Sequence, residues 1–302
     1  MNISEVDRPI LETKVRSVSC DVCGSSNTFF KFAVVLRDGP YSGSKKGMVR
    51  NCFECAGCGH MSVDLYEPER HDSYYRGLEL AYYDQHDKDT RRYRRAIEAI
   101  THQNPTRVLD IGCGTGTLLS MFPRTIERYG IELSSVAAEK ALKKGIKIVS
   151  FEDLEKPWLC GTFDVVTALD VVEHTKDLFR LERAFAKALR PGGTLILLTA
   201  DCQSGSAQRL GRYWYYTHYS EHISFFSQKS IRTWLDQGFE RIEVLPTSHH
   251  PPRLTEVISI LRAWTLFPAK LVAGKLLAQA GSRNVTLWTT GDHMLVRAIR
   301  RK

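Results

Sequence analysis

The segment 108-VLDIGCGTGTLL-119 is followed closely by 129-YGIELS-134. An apolar run of strand-forming residues carries Asp110 and then stops at three glycines, Gly112, Gly114 and Gly116. Glycine lets a backbone turn sharply and pass close to a ligand, and a helix starting there presents unsatisfied amides. A second apolar run ends at Glu132, where a carboxylate can accept both hydroxyls of a ribose. The glycines read G-x-G-x-G, so the G-x-G-x-x-G fingerprint of nicotinamide dinucleotide sites is not met.

Apolar runs alternate with amphipathic stretches from residue 105 onward. RVLDIG, RYGIELS, IKIVSFE, FDVVTALD and PGGTLILLTA read as strands, whereas SVAAEKALKKG, LFRLERAFAKALR and FSQKSIRTWLDQGF read as helices. ERIEVLPTSH and DHMLVRAIRRK add two further strands. This alternation specifies an α/β doubly wound, Rossmann-like parallel sheet covered on both faces. Arg190-Pro191-Gly192-Gly193 stops one helix and turns into the next strand. Three units are expected: a module over 1–70, a helical linker or lid over 71–104, and the α/β domain over 105–302, with a helical insertion at 253–283.

The chain has 302 residues, 43% hydrophobic and 25% charged, the composition of an ordinary globular protein. No apolar run is long enough to span a bilayer and the N-terminus lacks an apolar signal core, so a cytoplasmic location is expected. Five of eight cysteines fall between residues 20 and 58: Cys52, and two each in 20-CDVCG-24 and 55-CAGCG-59. Two C-x-x-C-G knuckles can close a tetrahedral four-sulfur site, which predicts a structural Zn2+ on Cys20, Cys23, Cys55 and Cys58, with Cys52 and His60 as substitutes. Four thiolates leave no open position for catalysis. Cys113, Cys160 and Cys202 read as buried packing residues.

VLDIGCGTG, YGIELS, FDVVTALDVVEH and LRPGGTLILLT resemble, in order and spacing, the motifs of class I S-adenosylmethionine-dependent methyltransferases. The cysteine module in front, and YWYYTHYSEHISFFSQKSIRTWLDQGF behind, look like a subgroup that methylates sugars and other small metabolites. Carried over motif by motif, the resemblance implies that Asp110, Gly112, Gly114 and Gly116 hold the amino-acid half of the cofactor. It assigns the ribose to Glu132 and the adenine to Asp153 and Leu154, and Asp170 is expected among the cofactor-binding residues as well. The acceptor belongs beyond the carboxyl ends of the strands, where Asp170, Glu173 and His174 follow the fourth. His174 suits a base near neutrality, with Glu173 or Asp170 orienting it. The alternative is that the Glu-His pair caps the next helix. His218 and His222, within 213-YWYYTHYSEHISFF-226, form a second reservoir for a substrate lid, and His222 is the alternative candidate for the catalytic base.

Residues 253–302 carry nine Lys or Arg (Arg262, Lys270 and Lys275 among them) against Glu256 and Asp292, whereas the preceding 252 residues carry 33 bases and 32 acids. The insertion, kinked at Pro268, therefore reads as a lid offering Arg262 and Lys270 to an anionic substrate, as a homodimer element, or as a peripheral membrane contact. The leading expectation is a small-molecule methyltransferase. An RNA methyltransferase using the ribbon and 91-RRYRR-95 is the second reading, and a non-catalytic cofactor-binding scaffold the third. Nucleic acid is disfavoured because the fourth strand ends in TALD and lacks the Asn/Asp-Pro-Pro-aromatic motif of many base-amino methyltransferases.

Overall fold

The computed structural model describes residues 19–36, 48–64, 83, 90–100, 104–247 and 292–302. The insertion at 253–283, with Arg262, Pro268, Lys270 and Lys275, lies outside the described residues, as does most of the 71–104 linker.

The glycine turn sits at the centre of a seven-stranded sheet. Strands β4 (Arg107–Ile111), β5 (Glu127–Ile131), β6 (Lys147–Ile148), β7 (Phe163–Leu169) and β8 (Leu189–Ala200) run parallel, while β11 (His293–Arg300) lies antiparallel between β8 and β10 (Phe239–Thr247). The order is β10-β11-β8-β7-β4-β5-β6. From β4 the chain builds outward through β5 and β6, then returns to add β7 and β8 on the other side. The order thus reverses between β4 and β7, and the crevice outside their carboxyl ends is where such sheets bind ligands. Gly112 follows the first of these strands and Asp170 the second.

Central strands are apolar on both faces because helices cover both. Val108, Leu109, Val165, Val166, Leu195 and Ile196 are all fully buried. Helix starts are set by local chemistry. Ser134 accepts from the Ala137 amide at the head of the helix Ser135–Lys143, and Asp177 from that of Arg180 ahead of Leu178–Ala188. The Glu173-His174 pair therefore does not cap that helix. Ser227 and Ser230 form a reciprocal capping box for Gln228–Leu235. The Trp234 indole of that last helix donates to the Leu178 carbonyl at 3.1 Å and packs on Phe185 and Phe226.

The cysteine-rich segment forms a second sheet, β1 (Thr28–Val35), β2 (Val49–Cys55) and β3 (Met61–Val63), all antiparallel. Its fourth strand comes from far downstream: β9 (Ser224–Phe225) pairs with β3 through Met61↔Phe225 and Ser62↔Ser224. An Asp201–Phe226 bridge then links this sheet to the end of β8. The module and the α/β body consequently share a core, in which Val34, Cys52 and Met61 pack with Ala200, Trp214 and Phe225.

Candidate active site

At the glycine turn, Gly112 and Gly116 adopt φ of +75° and +77°. A Cβ on Gly112 would lie 2.6 Å from Val171 Cγ2, and one on Gly116 2.1 Å from Ile146 Cδ1, so neither position tolerates a side chain. The turn is anchored by the second strand, because Gly112 and Cys113 both donate to the Ile131 carbonyl. The Glu132 carboxylate lies against the turn. One oxygen accepts from the Gly114 amide at 2.8 Å, and the other from the Ser134 amide at 2.8 Å and from the Tyr83 hydroxyl at 3.3 Å. A carboxylate offers about four lone-pair sites, so one remains and the long Tyr83 contact is exchangeable. The two hydroxyls of a ribose match that capacity. Burial raises the Glu132 pKa, and the Ser134 and Gly114 amides oppose the rise.

Asp110 is buried and accepts from Thr167 Oγ1 at 2.6 Å on the neighbouring strand. Burial pushes its pKa up to about 7 against the pull of that hydrogen bond. Asp153 receives the Ser150 amide and an ion pair from Lys156, and the Leu154 side chain is packed in the core, which leaves its backbone as the part that can face an adenine.

Beyond β7, Asp170 adopts a left-handed backbone (φ 56°) and pairs with Arg92 at 2.7 Å. That arginine belongs to 91-RRYRR-95, on the helix Arg91–Ile100. It also donates to Tyr93, while Arg95 donates to Thr247. Arg92 of the cluster read as an RNA contact is therefore committed inside the protein, whereas Arg94 and Arg95 stay exposed. The Glu173 carboxylate is fully buried and does not hydrogen-bond His174, contrary to its expected orienting role. It accepts instead from Tyr216 Oη through a short contact and from Thr199 Oγ1 at 2.9 Å. Burial raises its pKa to about 7, and the Asp170 charge adds to the rise.

His174 is half-buried, with Nδ1 facing the Glu221 carbonyl at 3.2 Å. In its neutral form Nδ1 carries the proton toward that carbonyl and Nε2 carries the lone pair. His222 is buried behind it, 4.8 Å ring to ring, with Nδ1 on the Tyr216 carbonyl at 2.8 Å and its ring 4.0 Å from that of Tyr216. Burial, then the neighbouring His174, hold its pKa well below the usual range. Ligand atoms of Glu173, His174 and His222 lie within 4.8 Å of one another, a spacing that a cation could share. Both Glu173 oxygens already accept from a hydroxyl. His218 plays no part here: its nitrogens face the carbonyls of Val35 and Arg212, both at 2.9 Å, so it ties β1 to the aromatic loop.

The four thiols of Cys20, Cys23, Cys55 and Cys58 converge, all within 4.8 Å of one another, with closest pairs at 3.6 Å (Cys20–Cys58) and 3.5 Å (Cys23–Cys55). A tetrahedral zinc with bonds of about 2.3 Å requires sulfur pairs at about 3.8 Å, so this donor set fits a structural zinc. Neither substitute takes part. Cys52 is in the shared core, and His60 packs on Phe226 beside Ser224, its pKa lowered by burial to about 3. Cys113 and Cys202 are buried as expected, but Cys160 is exposed.

The sheet order, the glycine turn and the carboxylate beside it define the fold of a class I S-adenosylmethionine-dependent methyltransferase. The family described as "Methyltransferase domain" matches residues 83–244, more than half of the chain, and the chain belongs to it. It is 39% identical over 106 residues to a "Ubiquinone biosynthesis O-methyltransferase" of Xanthomonas campestris pv. campestris, covering 32% of this chain and 43% of that protein. A protein of the same name from Marinobacter nauticus is 37% identical over 105 residues, covering 32% and 44%. The chain thus spans less than half the length of these curated relatives. A crystal structure of a SAM-dependent methyltransferase from Archaeoglobus fulgidus has the same fold, with TM-score 0.50, 16% identity, and coverage of 74% of this chain and 100% of that one.

Two results are expected from the cofactor side. Glu132→Ala should weaken binding of S-adenosylhomocysteine by roughly 1–3 kcal/mol, because it leaves two hydroxyls without an acceptor. Calorimetry giving an unchanged affinity would remove Glu132 from the site. The second concerns pH. A carboxyl whose pKa is raised by folding keeps a proton that the unfolded chain has lost, so its contribution to stability falls as pH rises from about 4 to about 7. Buried neutral histidines such as His60 and His222 act in the opposite sense through about pH 6.5, so the test is a difference. Relative to the parent, Asp110→Asn should gain about 5 °C in Tm between about pH 5 and pH 7.5. A pH-independent difference would show that Asp110 is ionised throughout.

Proposed function

We propose that the chain transfers a methyl group from S-adenosylmethionine to a hydroxyl of a small molecule, a sugar or related metabolite being the favoured acceptor class. The observation that carries the reading is the half-buried His174 at the carboxyl edge of β7, with the glycine turn and Glu132 following the adjacent β4 and β5. The name of the curated relatives, O-methyltransferases of ubiquinone biosynthesis, supports an oxygen acceptor.

The cofactor, when bound, would supply an electrophilic methyl carried on a cationic sulfur, and the C–S bonding pair would remain on that sulfur as a neutral thioether. Glu132 and the turn would hold the nucleoside, and Asp110 the amino-acid half. His174 takes the acceptor proton at Nε2, and the imidazolium formed keeps its Nδ1 proton on the Glu221 carbonyl. Tyr216 and Tyr219, each tilted against the His222 ring, wall off water behind the acceptor. The four thiolates would bind zinc as a structural ion, with no open position for the transfer.

The test is release of S-adenosylhomocysteine by purified protein offered nucleotide sugars, lipid-linked saccharides, hydroxylated aromatic rings and RNA. Turnover on a small hydroxylated acceptor is expected. Turnover on RNA alone would favour the nucleic-acid reading, although Arg92 and Arg95 are already engaged. Cofactor binding with no turnover on any acceptor would favour the scaffold reading.

A further inference from the structure

Arg50 lies on β2, in the cysteine-rich sheet, opposite Val34 of β1. Its side chain is fully buried, and its guanidinium gathers three carbonyls from one distant loop. Nη1 donates to His222 O at 2.7 Å and to Ser220 O at 3.4 Å, while Nη2 donates to Thr217 O through a shorter contact. The guanidinium also lies 5.9 Å from the ring centroid of Phe225 on β9. Nη1 and Nη2 are thus engaged while the buried Nε has no partner among the described residues, so the charge is held at this place by the carbonyls its planar fork can reach at once.

The loop so held is the one that carries the acceptor side. Its His222 packs on His174, Tyr216 donates to Glu173, and Ile223 N donates to the Glu173 carbonyl at 2.9 Å. Further ties run from the same module to the same region. Ser227 Oγ donates to the Cys58 carbonyl at 3.0 Å, Lys229 Nζ to the Gly57 carbonyl at 2.5 Å, and β3 pairs with β9. The knuckle that closes the four-thiol site and the strand that carries Arg50 thus grip opposite ends of one segment, residues 217–229.

We propose that Arg50 is a positioning residue: the cysteine module, acting through its guanidinium, sets the conformation of the 215–223 loop and so the place of His222 and Tyr216 beside His174. The inference rests on the reading of that loop as the acceptor wall. It assigns the module a role in shaping the site as well as in holding the fold. Zinc bound by the four thiolates would stiffen the base from which Arg50 reaches.

Hydrogen exchange measured by mass spectrometry on the full chain, with S-adenosylhomocysteine bound, tests this without any methyl acceptor, so a wrong acceptor assignment leaves the result readable. Arg50→Met removes every donor. Arg50→Lys keeps the charge but offers a single ammonium that cannot span three carbonyls. In both variants exchange over 215–223 should accelerate by about 10-fold or more, with exchange over 108–134 and the affinity for S-adenosylhomocysteine changed by less than about 2-fold. The imidazole nitrogen signals of His222 should also shift, as a displaced ring would require. Unchanged protection of 215–223 in the two variants overturns the proposal. So does an equal loss of protection across the whole chain, or failure of both variants to fold, since either would make Arg50 a general support of the fold.

Discussion

His174→Ala is expected to lower turnover by about 10²–10⁴-fold, the usual loss when a general base is removed, with affinity for S-adenosylhomocysteine unchanged. The expectation follows from place and tautomer. His174 is the member of its cluster that is only half-buried, and the Glu221 carbonyl at 3.2 Å holds a proton on Nδ1. His222 is deeper and held neutral by burial. His222→Ala should therefore act through the position of His174 and lose less. A pH–rate profile distinguishes the two: His174→Ala should abolish the acidic limb, whereas His222→Ala should keep it. Full turnover in both variants would mean that positioning alone drives transfer and that the acceptor arrives already ionised.

The second large effect concerns the metal. Elemental analysis should find one zinc per chain, and Cys20→Ser with Cys23→Ser should abolish it. Structural zinc sites supply on the order of 10 kcal/mol of apparent folding free energy, more than a small three-stranded module can replace. The double variant should therefore lose the β1–β3 sheet. Because β9 pairs with β3, and Ser227 and Lys229 hydrogen-bond the second knuckle, the damage should extend to residues 217–229. Loss of zinc is thus expected to impair acceptor turnover while the glycine turn still binds S-adenosylhomocysteine. A zinc-free parent with an intact β1–β3 sheet would contradict the assignment.

Residues that act through local spacing could be read from the chain. The C-x-x-C-G knuckles place two sulfurs on one turn, and the structure brings all four together. The run ending at Asp110, the alternate glycines and the acid at Glu132 describe one βαβ unit, in which each feature follows from its neighbours in sequence. Strand and helix patterning sufficed for the order of elements and for the class of sheet, since burial on both faces leaves continuous apolar runs.

Contacts between distant segments were decided only by folding. Glu173 stands next to His174 in the chain, yet its carboxylate turns to Tyr216 and Thr199, because a fully buried carboxylate takes whichever hydroxyls the core brings to it. His218 and His222 are four residues apart and look equivalent, but one braces β1 and the other packs on His174. The RRYRR cluster read as one RNA contact, but the fold sets Arg92 on Asp170, 78 residues away, and leaves Arg94 and Arg95 exposed. No local signal marks Arg50 or Tyr83 at all. Their partners, the carbonyls of Thr217, Ser220 and His222 and the carboxylate of Glu132, are placed only when β3 meets β9 and β4 meets β5. Periodicity and spacing encode which face a residue presents, whereas the hydrogen-bond partner of a buried polar group depends on which segments the sheets bring together.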